Sequence, residues 1–143
     1  MALELPALPF ALVESNIFEE VAARAQTEQD VQRSRMLDPE YLVLLGQSVL
    51  ARHSVHLAVA QGLHPGYIMH DVADQLVESR LARLGRAYFF REDAMVVDVG
   101  YNDQIYADAI YMYWGLLAVD DLADDFCLNW LSDVVAWEIY HGF

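Results

Sequence analysis

Four carboxylates within six residues, Asp120, Asp121, Asp124 and Asp125, form the densest arrangement in this chain that could do chemistry. On a helix their spacing brings Asp121, Asp124 and Asp125 close enough to bind Mg²⁺ and its waters. The same acids could equally start a helix, complementing its dipole, and continue as a solvated face. A second set is rich in imidazole. His53 and His56 lie one turn apart, and His70 stands at i, i+4 from Asp74 with Asp71 beside it. A site between two helices could therefore offer His and Asp ligands to Zn²⁺, Mn²⁺ or Fe²⁺. The plainer alternative is a pair of partly buried histidines satisfied by backbone or carboxylates, and a surface His70 paired with Asp74. Covalent catalysis has little to work with. Ser48, Ser54, Ser79 and Ser132 lack a Gly-x-Ser-x-Gly elbow, there is no Gly-rich phosphate loop, and the acids preceding Cys127 would raise its thiol pKa.

The run Asp120-Asp121-Leu122-Ala123-Asp124 resembles the aspartate-rich motif of isoprenoid synthases, which implies carboxylates that hold a diphosphate through Mg²⁺. Ile68-Met69-His70-Asp71-Val72 is similar to the His-Asp core of the HD phosphohydrolases. That resemblance implies a metal-dependent helical hydrolase drawing on His53, His56, His70, Asp71 and Asp74. Both resemblances are local. The first has no second acidic motif and no Lys to grip a diphosphate; the second has no more distant upstream His than His53 or His56, and no single later Asp stands out. The expectation is no catalytic residue, no cofactor and no metal, with the metal-dependent enzyme as the competing reading.

Charge narrows the choice further. The formal net charge is -14 with 56% hydrophobic residues, so the chain is too apolar for disorder and long enough to bury a core. An anionic field of that size disfavours direct contact with nucleic acid or an anionic membrane, both of which need cations against phosphate. A basic protein partner fits it. All eight cationic side chains are Arg, a usage that fits a GC-rich genome, and none follows Arg91. Cys127 stands alone between Phe126 and Leu128, so no intrachain disulfide can form and a buried thiol in a reducing, cytoplasmic setting is expected. The first residues lack the cationic region of a signal peptide, and the apolar runs are interrupted before membrane-spanning length.

The elements that must position these groups are mainly helical. We expect a single acidic domain over 1–143, with residues 1–9 as an extended arm held open by Pro6 and Pro9. The fold expected is a compact bundle of about five helices with one short β-hairpin near residues 87–99. Phe10, Val13, Ile17 and Val21 mark the first helix, and 26–36 reads as a frayed end and loop. Asp38-Pro39-Glu40 starts the second helix toward Gly62. His64-Pro65-Gly66 turns into a third helix, about Tyr67 to Leu84, closed by Gly85, with Arg80, Arg83, Arg86 and Arg91 near its end. Ala87 to Val99 supplies the aromatic and β-branched runs of the hairpin. A fourth helix runs to Val119, and Asp120 or Asp121 caps a last one ending about Tyr140.

Tyr and Trp threaded among Asp are the residue types of a protein-binding hot spot facing arginine. The contact residues expected from the sequence are Asp103, Asp108, Tyr111, Trp114, Asp120, Asp121, Asp124 and Asp125. The function expected is a non-enzymatic binding module that masks a basic surface: an acidic adaptor, inhibitor, immunity protein or chaperone. A special case is a phage-encoded nucleic-acid mimic, a viral DNA mimic whose spaced carboxylates Asp98, Asp103, Asp108, Asp121, Asp125 and Asp133 take the place of phosphates. A homo-oligomeric structural subunit, a homodimer in its simplest form, is the third reading, because apolar faces on two sides of the last helix could satisfy one another.

Overall fold

A computed structural model describes residues 4–13, 16–89 and 99–143, with backbone alone at 99–102. Seven helices and no strand occur among the described residues: α1 (Ile17–Thr27), α2 (Val31–Met36), α3 (Pro39–Ala60), α4 (Pro65–Gln75), α5 (Glu78–Phe89), α6 (Val99–Val119) and α7 (Ala123–Tyr140). The mainly helical class holds. The expected five helices become more because two segments read as one piece or as loop are separate helices.

The core is built around α6. From Tyr106 to Val119 this helix carries large apolar side chains on every side, and a helix without a polar stripe has to be enclosed. It is enclosed by α3 and α5, which make the most extensive contacts with it, and by α7 and α1. Tyr106, Ile110, Tyr113 and Trp114 are each no more than 1% exposed. Close approach depends on glycine. A Cβ at Gly46 of α3 would lie 1.8 Å from the Tyr111 carbonyl oxygen, and one at Gly115 would lie 2.2 Å from that of Leu42. Here α3 and α6 touch backbone to backbone. Gly85, expected to end a helix, lies inside α5, where a Cβ would meet the Tyr106 carbonyl at 2.1 Å.

Local signals account for several boundaries. Asp38 accepts from the Glu40 and Tyr41 N–H groups with Pro39 in the first turn, as its sequence implies. The first helix starts at Ile17 and not near Phe10, because Asn16 accepts the Glu19 N–H and provides the cap. Asp30 caps α2 within the stretch read as loop. The third expected helix breaks between α4 and α5. There the Gln75 carbonyl, left without a helical donor, accepts from the Arg80 guanidinium at 2.5 Å.

The hairpin is corrected over part of its span. Ala87, Tyr88 and Phe89 finish α5, and Val99 opens α6; residues 90–98 lie outside the described residues. Aromatic residues that favour strands in isolation are recruited here by tertiary packing. Phe89 meets the Tyr113 ring at 6.2 Å, and Tyr88 meets Trp130 at the same separation. The last helix also differs, since Asp121 has φ 58 and Leu122 precedes α7 without a side-chain cap. Neither Asp120 nor Asp121 acts as its N-cap.

Residues 4–13 have no regular structure and lie along the bundle. The Tyr113 hydroxyl accepts from the Phe10 N–H and donates to the Phe10 carbonyl, both at 3.0 Å. The Tyr88 hydroxyl donates to the Pro6 carbonyl while accepting from Trp130 Nε1 at 3.2 Å. By length and composition α3 could also cross a membrane, which the sequence reading did not expect; 44% of that span is buried against the rest of the fold.

Candidate functional site

The expected contact residues separate into three environments. Tyr111 and Trp114 lie in the core at 8% and 0% exposure, where Trp114 packs on Tyr113 and Trp130. Neither ring is presented to a partner in this fold. Asp103, Asp120 and Asp124 are engaged in ion pairs within the chain, while Asp121 and Asp125 are exposed and Asp108 is half-buried.

These ion pairs hold the helices together. Arg24 of α1 reaches Asp120 at 3.1 Å and Arg33 of α2 reaches its other oxygen at 2.7 Å, so one carboxylate after α6 fastens both helices. Arg86 of α5 meets Asp103 of α6 at 2.5 Å. Arg80 and Arg83 converge on Glu138 at 2.5 and 2.7 Å, tying α5 to α7. Arg52 and His53 of α3 both contact Asp124 of α7, the latter at 2.9 Å. The hydrogen bond from His53, followed by the charge of Arg52, holds the Asp124 carboxyl below its usual range. Sequence reasoning put Arg80, Arg83 and Arg86 at a helix end; Glu138 was not among the expected site residues.

The imidazole set does not assemble into one site. His53 is buried and stacks edge-on against exposed His56 at 5.5 Å. Its Nε2 faces Asp124, and its Nδ1 is buried without a hydrogen-bond partner among the described residues. His70 is exposed on α4, whereas Asp71 and Asp74 line a different cavity of about 360 Å³ beside Arg80, Arg83 and Glu138. Among the described residues no three His, Cys, Asp or Glu side chains are grouped to hold a metal ion. Cys127 is fully buried, and burial pushes its thiol up to about 12, which leaves it unreactive at neutral pH.

An apolar cavity lies elsewhere, in a groove of about 600 Å³ over α6 between α1 and the start of α3. From α1 it is lined by Phe18, Val21, Ala22 and Ala25, an i, i+3, i+4, i+7 stripe. From α3 come Glu40, Val43 and Leu44, and from α6 come Ile105, Asp108 and Met112. Leu44 is 64% exposed, so the apolar wall continues outward. Asp108 is the groove's half-buried carboxylate. Burial, and secondarily the charge of Glu78, raises its pKa above the ordinary aspartate range.

No family model, curated protein or solved structure matches this chain. The site's own chemistry is therefore what bears on function. Two carboxylates in an apolar groove are equipped to receive a group that is greasy on one side and cationic on the other. Of the expected contact residues, Asp108 alone lines this groove. Apart from Glu40, its other walls are apolar residues whose types read as core, and the exposure of Leu44 is visible only in the fold.

Proposed function

We propose that this chain is a non-enzymatic protein-binding module that masks a basic surface of a partner protein. One observation carries the reading. Six arginines, Arg24, Arg33, Arg52, Arg80, Arg83 and Arg86, are each matched to a carboxylate of the chain itself. Six of the eight cations are thus paired within the chain, while Arg35 is exposed and Asp121, Asp125, Asp133 and Glu40 face outward. A surface of this kind speeds encounter with a positive partner and repels phosphate backbones and anionic lipid. Adaptor, inhibitor, immunity protein, chaperone and nucleic-acid mimic are all variants of this mode of action.

The test is affinity capture from the native host at low and high salt, followed by mass spectrometry and repeated with the Asp121→Lys, Asp125→Lys double variant. We expect a basic protein to be captured at low salt and released at high salt. The double variant is expected to hold it at least about tenfold more weakly with a melting temperature unchanged or higher, because neither side chain makes an ion pair among the described residues and self-repulsion falls. Capture that ignores both salt and charge reversal would reject the reading.

A further inference from the structure

Three helices converge on the groove, and each presents the spacing of a helix-packing surface toward the open position. The α1 stripe from Phe18 to Ala25 runs for about 10 Å, two turns at the standard rise. Glu40, Val43 and Leu44 repeat the i, i+3, i+4 pattern on α3, and Ile105, Asp108 and Met112 continue it on α6 at i, i+3, i+7. Side chains in such rows form ridges that accept another helix between them. α1 packs mainly on α6, and the groove separates its row from that of α3.

We infer that this groove is the docking site for a basic amphipathic helix of the partner, with its apolar stripe on α1, α3 and α6 and its cations against Asp108 and Glu40. The proposal rests on the reading of the chain as a binding module and names where and what it binds. Charge selects the occupant. A second copy of this chain would add another 14 negative charges, whereas Arg or Lys on a partner helix would compensate a half-buried carboxylate that has apolar groove walls on one side and Glu78 on the other. An apolar helix face with anchors at i, i+3, i+4 and i+7 is a recurrent solution for a groove lined in this way. Leu44, largely exposed, would be covered by the occupant.

The experiment uses the full chain and three fluorescent peptides of about eighteen residues, long enough for helix formation to be supported on binding. The first has Leu at i, i+3, i+4 and i+7 with flanking Arg. The second is a scramble of the same composition, and the third keeps the apolar stripe but replaces Arg with Gln. Anisotropy titrations at low salt should show the first peptide binding at least about tenfold more tightly than the other two. Leu44→Gln and Asp108→Asn should each weaken it by roughly fivefold or more. Circular dichroism melts verify that both variants fold; Leu44→Gln alters an exposed side chain and keeps the test decisive if Asp108→Asn perturbs the fold.

Equal binding of the first peptide and its scramble, undiminished by Leu44→Gln, would overturn the helical docking site while leaving a charge-masking surface in place. Equal binding of the Gln peptide would overturn the role given to Asp108 and Glu40. If neither Arg peptide binds even at low salt, the docking site fails, while the masking function is decided separately by the salt-dependent capture of a basic protein.

Discussion

Glu138 is 6% exposed and receives two guanidiniums, Arg80 through three contacts of 2.5 to 3.0 Å and Arg83 at 2.7 Å. Removing one member of such a group leaves charge in a poorly solvated place, which is more damaging than losing a surface pair. We expect Glu138→Ala to cost about 3 kcal/mol of stability in urea unfolding. A loss below about 0.5 kcal/mol would show that water already screens this cluster. The opposite condition holds at Asp108, whose raised pKa means that the fold works against its charge. On the proposed reading, a cation from the partner would offset that cost.

At the scale of elements, the N-terminal arm depends on two phenols. Burial pushes the Tyr88 hydroxyl up to about 12 and also raises Tyr113, and the protonated Tyr88 donates to the Pro6 carbonyl. A folded pKa above the unfolded value of about 10 contributes stability that is complete below pH 10 and lost as pH rises toward 12. Cys127, raised to about 12 from an ordinary thiol value of 9.0, adds to the same alkaline loss and begins it earlier. We expect the melting temperature to fall between about pH 9 and 12, and proteolysis within the arm to accelerate in step with Tyr ionisation. Tyr88→Phe should cleave readily at neutral pH, since it loses the arm contact without needing alkali. An arm equally protected at both ends of that range would mean that the Tyr88 and Tyr113 hydroxyls do not hold it.

At the scale of the whole molecule, the balance between self-repulsion and binding sets opposite salt responses. With a net charge of -14, the outward carboxylates repel one another, and screening falls to about 8 Å at physiological ionic strength. We expect added NaCl up to about 0.5 M to raise the melting temperature by several degrees while it weakens partner capture. Opposite signs in the two measurements would separate the global field from the ion pairs, which salt can only weaken. A melting temperature that falls steadily with salt would show that the internal pairs dominate. Light scattering at the same salts tests the alternative of a homodimer, which the charge opposes most strongly when salt is low.

Residue types and short-range spacing by themselves determined the helical class and the Asp38-Pro39 start of α3, because capping and hydrophobic pattern act within one or two turns. They also determined the net charge and the solitary thiol. Tertiary structure decided which acids remain outward: Asp120 and Asp124 are drawn into pairs with arginines 87 to 96 and 72 positions away in the chain, which no local pattern encodes. It likewise turned the expected Tyr111 and Trp114 contacts into core and made Gly85 a point of helix approach. The groove over α6 arises only when α1 and α3 settle on that helix while leaving a space between themselves, because a cavity belongs to the relative placement of elements and not to any one of them.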